Sequence, residues 1–258
     1  MSLLKGIIAA PPLTEGEVLV WTAELDSVTE TRLGQLARLL SQDENQRASR
    51  FHFERDRKRF VVCRGILREI LGAYLERDPE EIDFYYGPQG KPYLKGPDGQ
   101  IAGTLYFNVS HSSSRAIYAL GLNEVGVDLE FVSPIPEMQE LVDQHFSAAE
   151  RSAFGSVPHD LKEKAFYSCW TRKEAYVKAC GGGLSIPLDQ FDVSVDPRSP
   201  ARLVRVQGTP GNQLRWSLHS FEPSTDTVAA LVCAKESAPH LCGCWSTQAN
   251  SPGSDQAN

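Results

Sequence analysis

Gly126-Val-Asp128-Leu-Glu130 sets two carboxylates two residues apart inside an apolar stretch. On a strand, that spacing turns both to one face and sends Val127 and Leu129 to the other. Like charges side by side repel unless protons or a cation lie between them. Hard oxygen donors of this kind suit Mg²⁺, which keeps some water and engages phosphates as well. Alone, the motif is most simply a solvent face. Trp170-Thr-Arg-Lys-Glu174-Ala-Tyr-Val-Lys178 puts Glu174 and Lys178 one helical turn apart on one side. Its plainest reading is a surface salt bridge. In a site, Glu174 would add a third metal ligand and Lys178 a cation for a phosphate or a departing oxygen. Phe107-Asn108-Val-Ser110-His111-Ser112 runs from a strand into a turn. A histidine there is ordinarily a turn residue, but among small polar neighbours it can donate hydrogen bonds to a phosphate.

The elements that must position these residues follow from periodicity. Glu17–Trp21 alternates as a first strand, and Thr29–Leu40 carries leucines at helical spacing. Ser41-Gln-Asp-Glu44 and Ser147-Ala-Ala-Glu150 are capping-box patterns that each open a helix. Two long amphipathic helices are predicted, over 56–75 and 160–180, the second stopped by Gly181-Gly-Gly183. Strands are expected over 82–86, 105–110, 115–122, 125–132, 191–195, 203–207, 214–221 and 228–234. Each half thus pairs a long helix with a small, mostly antiparallel sheet, unlike the strand–helix alternation of a doubly wound fold. Phe60-x-x-Cys63 and Phe166-x-x-Cys169 sit at like places in the two long helices, a faint echo. From Ser237 onward the chain is rich in Ser, Pro, Gly, Asn and Gln and reads as a disordered tail.

Charge narrows the ligand. The chain's net charge is −7, yet Arg47, Arg50, Arg55, Arg57, Lys58, Arg59, Arg64 and Arg68 face only Glu54 and Asp56 within 47–68. That stretch carries +6 and leaves −13 elsewhere. A basic helix on an acidic chain suits one local anion better than general nucleic-acid affinity, although a solvated helix face is the plainer account. With 41% apolar and 23% charged residues, a disordered chain, a collagen-like fibre and a disulfide miniature are excluded. No apolar run approaches the roughly 20 residues that span a bilayer. Lys5 splits the apolar start, so no leader is read there and a cytoplasmic enzyme is expected. Of six cysteines, Cys63, Cys169, Cys180 and Cys233 read as reduced core thiols. His240, Cys242 and Cys244 lack a fourth ligand at zinc-like spacing, so the tail reading prevails over a metal site there.

Together the FNVSHS, GVDLE and WTRKEAYVK segments, followed by Gly181-Gly-Gly-Leu184 and preceded by Gly90-Lys91-Pro92, resemble the signatures of the 4′-phosphopantetheinyl transferases. Their order and spacing match the larger, Sfp-type (surfactin-synthetase-activating) subfamily. The resemblance covers about residues 41–195 and leaves out residues 1–20 and everything after Ala234. It implies an α+β fold of two pseudo-symmetric halves, each a long helix on a small mostly antiparallel sheet, with the active site in the cleft between them. The halves would be 1–125 and 126–236, followed by the tail at 237–258, in a chain that works as a monomer.

The resemblance also implies an activity: Mg²⁺-dependent transfer of the 4′-phosphopantetheine group from coenzyme A to a serine of an apo acyl or peptidyl carrier protein. Manganese would substitute for magnesium, and adenosine 3′,5′-bisphosphate would leave. Asp128, Glu130 and Glu174 match the metal ligands. Lys178 matches the lysine that contacts the phosphates and can protonate the departing oxygen. His111, with Ser110 and Asn108, matches the group holding the 3′-phosphoadenosine end, and Lys91 a phosphate-contacting lysine. Arg47 and Arg59 match basic contacts to coenzyme A, with Arg50 or Arg64 as alternatives. Glu150 matches an additional acidic residue near the metal, and the base would be Glu174 or Glu150, directly or through a metal-bound water. Partners would be transient carrier proteins of fatty acid, polyketide or nonribosomal peptide synthesis, without nucleic acid or membrane. Two rival classes remain: another Mg²⁺-dependent phosphoryl transferase or phosphohydrolase, and a non-enzymatic module that binds carrier proteins or nucleic acid through the basic helix.

Overall fold

The structure, a computed structural model, describes residues 10–96, 98–103, 105–206 and 212–245. Its elements run β1 (Glu17–Glu24), α1 (Glu30–Arg38), α2 (Gln42–Ala48), α3 (Glu54–Leu75), β2 (Phe84–Tyr86), β3 (Pro92–Leu94), β4 (Tyr106–Ser112), β5 (Arg115–Gly121) and β6 (Val125–Phe131). The chain continues through α4 (Met138–His145), α5 (Ala148–Gly155), α6 (Lys162–Cys180), β7 (Phe191–Val193), β8 (Leu203–Val206), β9 (Trp216–Ser224), β10 (Thr227–Ala234) and β11 (Ala238–Cys244). This is the mixed α+β class that the sequence pattern predicts. The described residues pack as two compact units, one of 10–12, 23–82 and 244–245, the other of 13–22 and 83–243. The expected boundary at 125/126 falls inside the larger unit.

The smaller unit is built on α3, against which α1 packs so closely that a Cβ on Gly65 would sit 2.7 Å from that of Leu36. Ser41 caps α2, and Glu44 returns to the Ser41 amide, completing the predicted capping box. Glu44 is 2% exposed and does more: its two oxygens accept from Arg64 at 2.8 Å and Arg68 at 2.6 Å. Arg68 also donates to the carbonyls of Pro79 and Ile82. Two of the eight cations counted as a basic face are therefore internal struts.

In the larger unit, a four-stranded sheet has the order β11-β1-β5-β4 and a three-stranded sheet the order β6-β10-β9. Val18, Val20, Ile117 and Ala119 of the first meet Val127, Leu129, Ala229 and Leu231 of the second in one core. A second core joins α6 to the other face through Phe146, Phe154, Phe166, Tyr176 and Phe191. Gly181 ends α6 in the left-handed region at φ 68°, as the glycine run predicts. Among the described residues, no helix is long and apolar enough to cross a membrane.

Two expectations change. The stretch assigned to a disordered tail begins as β11, and Trp245 just beyond it is buried; residues 246–258 lie outside the described ones. An edge strand of small and polar residues forms because β1 offers a free row of backbone partners, which its own composition does not announce. Cys180 is exposed at the end of α6, whereas Cys63, Cys169 and Cys233 are buried thiols as expected. Helix α4 and strand β3 were not anticipated at all.

The position that sets the geometry of the larger unit is Gly126. A Cβ there would lie 2.1 Å from the Ala175 carbonyl oxygen and 2.2 Å from the Ala179 nitrogen. Strand β6 therefore crosses α6 backbone to backbone. Gly126→Ala is expected to cost about 3 kcal/mol of unfolding free energy in urea, the upper range of overpacking in a tight core. Gly155→Ala, at the end of α5 where a Cβ meets nothing within 4 Å, is the control and should not lower stability.

Candidate active site

Because β6 keeps its period of two, Val127 and Leu129 enter the core while Asp128 and Glu130 share the opposite face. Strand β4 turns Asn108, Ser110 and Ser112 toward them. The Asn108 Oδ1 accepts the Val127 amide at 2.9 Å, standing in for a ladder partner. The Ser110 hydroxyl donates to Asp128 Oδ1 at 2.8 Å, and the Ser112 hydroxyl to Glu130 Oε2 at 2.7 Å. From α6, the Lys178 ammonium donates to Asp128 Oδ1 at 2.6 Å and to Ser110 Oγ at 2.9 Å. The ion pair of Lys178 thus reaches across to β6, and its simple salt bridge to Glu174 is not what forms.

The electrostatics show a site with excess negative charge. Burial raises the Glu174 carboxyl above its ordinary range, and the Asp128 charge raises it further, against the pull of Lys178. Burial likewise raises Glu130; the Ser112 hydrogen bond opposes this, and the charges of Asp128 and Glu174 add to it. The three carboxylates sense one another. Asp128 Oδ2 is buried with no hydrogen-bond partner, an orphaned hard oxygen beside two raised carboxyls. That donor set fits a divalent cation. Among the described residues no three acidic, His or Cys side chains are drawn up as a finished metal cage. Mg²⁺ does not require one, since it binds through one or two carboxylates and completes its shell with water and substrate oxygens.

A cavity of about 630 Å³ opens beside this cluster, lined among others by Asn108, Glu174, Lys178, Trp170, Ile186 and Leu188. Trp170, Glu174, Val177, Lys178 and Gly181 follow one stripe of α6, so the cavity extends along about 16 Å of helix. Ile186, Pro187 and Leu188, beyond the glycine run, and His145 also line the cavity and were not foreseen, because no local pattern links them to the helix. Ser112 was also missed, although it continues the period of Asn108 and Ser110.

Other expected site residues have partners or placements of a different kind. Glu150 is 2% exposed and fully engaged: it caps α5, accepts the Val193 amide at 2.8 Å and pairs at 2.8 Å with Lys173, itself wholly buried. Both of its oxygens are committed to packing α5 and β7 against α6. Lys91 lines the cavity, but its ammonium donates to Glu124 and two backbone carbonyls. His111 is exposed and lies on the face of β4 opposite Asn108 and Ser110. Arg47 and Arg59 belong to the smaller unit. Arg59 is held bidentate by Asp26, while Arg47 rests over the Phe60 ring. Among the described residues, Arg47 and Arg50 have no carboxylate partner.

Asp128, Glu130 and Glu174, the Lys178 ammonium paired with Asp128 and the long cavity alongside make up the site. The chain belongs to the 4′-phosphopantetheinyl transferases and is an enzyme of that family. The model of the 4′-phosphopantetheinyl transferase superfamily matches residues 124–237, and that of a 4′-phosphopantetheinyl transferase N-terminal region matches residues 27–121. Over 223 residues the chain is 39% identical to the 4′-phosphopantetheinyl transferase HetI of Nostoc sp., covering 86% of this chain and 90% of that one. It is 30% identical to the transferase Sfp of Bacillus subtilis, covering 68% and 80%. The solved holo-[acyl-carrier-protein] synthase of Thermotoga maritima aligns over 42% of this chain and 61% of its own, at 18% identity and a TM-score of 0.33.

Two measurements separate charge held for structure from charge held for a ligand. Glu150→Ala strands the buried Lys173 and should lower the unfolding free energy by about 3–5 kcal/mol, most of which Glu150→Met with Lys173→Met recovers. Glu174 behaves oppositely. A carboxyl raised in the folded state binds its proton more tightly there than in the unfolded chain, so stability falls as pH climbs from the ordinary carboxylate range through the raised value. Glu174→Gln, with chelator present, should therefore raise the thermal midpoint at about pH 7.5 and leave it nearly unchanged at about pH 4.

Proposed function

We propose that this enzyme transfers the 4′-phosphopantetheine group of coenzyme A to a serine of an apo acyl or peptidyl carrier protein, with Mg²⁺, and releases adenosine 3′,5′-bisphosphate. The observation that carries the reading is the Asp128–Lys178–Ser110 cluster, in which one Asp128 oxygen is paired and the other is buried and vacant of partners. Asp128, Glu130 and Glu174 would hold the metal, which when bound supplies charge neutralisation for the pyrophosphate.

The carrier serine oxygen forms its bond to the β-phosphorus of coenzyme A as the bond from that phosphorus to the bridging oxygen breaks. Glu174 takes the serine proton. Its raised carboxyl makes it a stronger base than an exposed glutamate, which suits proton transfer near neutrality. Lys178 meets the negative charge that develops on the departing bisphosphate. The Ser110 hydroxyl and Asp128 keep that ammonium in place. His111 is assigned to the 3′-phosphate of coenzyme A, and Arg47, with Arg50 as alternative, to a basic contact with coenzyme A; Arg59 is the weaker candidate, since Asp26 already occupies its guanidinium.

The reading treats the chain as halves of 1–125 and 126–236 with coenzyme A in the cleft between them. It is supported by a site that draws Asn108, Ser110 and Ser112 from before that boundary and Asp128, Glu130, Glu174 and Lys178 from after it. One chain supplies all four charged groups, which accords with a monomer; the reading also takes the enzyme as cytoplasmic, meeting its carrier transiently, without nucleic acid or membrane.

Incubation with coenzyme A, Mg²⁺ and an apo carrier protein should add one phosphopantetheine mass to the carrier. Release of free phosphopantetheine without carrier modification would instead mark a phosphohydrolase. Asp128→Ala should nearly abolish transfer. Lys178→Ala should lower kcat by roughly two to three powers of ten, as when one preorganised charge-stabilising donor is lost. Lys178→Arg should restore only part, because a guanidinium keeps its charge but hardly gives up a proton. Near-normal kcat in Lys178→Ala removes the lysine from the mechanism. His111→Ala should raise KM for coenzyme A and spare dephospho-coenzyme A; equal effects on both would dissociate His111 from the 3′-phosphate.

A further inference from the structure

Strands β2 and β3 form a hairpin whose turn closes through the Gly87 amide donating to the Lys91 carbonyl at 2.9 Å and the Gly90 amide to the Gly87 carbonyl at 2.8 Å. Gln89, Gly90, Lys91 and Pro92, at its tip, line the cavity. The Lys91 side chain, however, is only 7% exposed, and its ammonium has three acceptors: Glu124 Oε2 at 2.8 Å, the Ala179 carbonyl at 3.1 Å and the Val125 carbonyl at 3.2 Å. An ammonium has three protons to give, so its donors are spent.

The three acceptors are informative. Ala179 is in the last turn of α6, where carbonyls lack intrahelical partners and favour a cation, and it directly follows Lys178. Val125 opens β6, three residues before Asp128. One ammonium therefore joins the hairpin tip to the end of the helix that carries Glu174 and Lys178 and to the start of the strand that carries Asp128 and Glu130. Close packing reinforces the joint. A Cβ on Gly181 would lie 2.7 Å from the Tyr93 hydroxyl, and one on Gly183 would lie 2.8 Å from the Gln89 Cβ. The Lys91 ammonium also sits 5.3 Å from the Tyr93 ring centroid.

The geometry points to Lys91 as a positioning residue, a staple that holds the cavity wall and sets α6 against β6, and not as a contact to a substrate phosphate. Glu124 is then its structural counter-charge. A phosphate could recruit this ammonium only by displacing a carboxylate and two buried carbonyls. The catalytic arm of the test rests on the transferase reading given above; the structural arm does not.

The two roles give opposite signs for Glu124→Gln. If Lys91 is a staple, Glu124→Gln and Lys91→Met act in one direction. In ligand-free protein, hydrogen exchange at the Gly87 and Gly90 amides should rise, roughly tenfold in Lys91→Met and less in Glu124→Gln, which retains an acceptor oxygen. kcat should fall in both, KM should rise equally for coenzyme A and dephospho-coenzyme A, and the double variant should be no worse than Lys91→Met. The staple is overturned if Glu124→Gln lowers KM for coenzyme A, as freeing a phosphate ligand would, or if the hairpin amides exchange as in the parent protein. It is also overturned if the Lys91→Met defect vanishes with dephospho-coenzyme A. Should Lys91→Met fail to fold, Glu124→Gln, whose partly exposed side chain tolerates the change, decides the sign. If the parent protein transfers nothing, the functional reading fails while the exchange measurement still judges the staple.

Discussion

Strand β6 can bring its carboxylates to the lysine of α6 only because nothing protrudes from residue 126. The glycine backbone lies against the Ala175 carbonyl and the Ala179 nitrogen, closer than any Cβ would permit. With that contact made, the remainder follows from two periods. A repeat of two along β6 puts Asp128 and Glu130 on the face opposite the core between the sheets. A repeat near four along α6 sets Glu174 and Lys178 on the stripe that bounds the cavity. Val127 and Leu129 lock the strand from behind, so a slip by one residue would bury both carboxylates in the core between the sheets.

Buried charge is used in two distinct ways. Each compact unit contains a short helix opened by a capping box, Ser41–Glu44 in one and Ser147–Glu150 in the other. In each, the glutamate that closes the box is buried and pairs with cations of the long helix, Arg64 and Arg68 on α3, Lys173 on α6. This is a fuller version of the Phe-x-x-Cys echo, whose four residues are all buried. These charges are satisfied on every side and serve packing. At the candidate site the balance is different: Glu130 and Glu174 are raised by burial and by neighbouring negative charge, and Asp128 keeps one oxygen without a partner. The fold bears that cost where a cation and phosphates would relieve it, which is how a site differs from a strut.

Local pattern determined much of this protein. The strands around the motifs, both capping boxes, both long helices and the glycine stop after α6 are readable because each depends on neighbours within one or two turns. The shared face of Asp128 and Glu130 is legible for the same reason, and Ser112 could have been added by continuing the period of β4. The motif set was specific enough to indicate the family, since chance seldom supplies three such fragments in order.

What spacing could not supply was partnership. Glu150 and Glu174 are both glutamates on helices in the second half, yet one is fully paired with Lys173 and the Val193 amide and the other faces a cavity. Lys91 and Lys178 both belong to motifs that suggest phosphate contact. Only the fold shows that Lys91 has spent its protons on Glu124 and two carbonyls. A run of eight cations likewise separates into buried struts, surface ion pairs and the two arginines left without a carboxylate. Strand β11 exists because β1 offers it an edge, and no property of its own residues required it. Sequence alone determines which face a side chain takes on its own element, because that is set by backbone period. Tertiary structure decides which charges are already neutralised, because their partners lie on other elements whose approach depends on contacts as distant as Gly126 against Ala175.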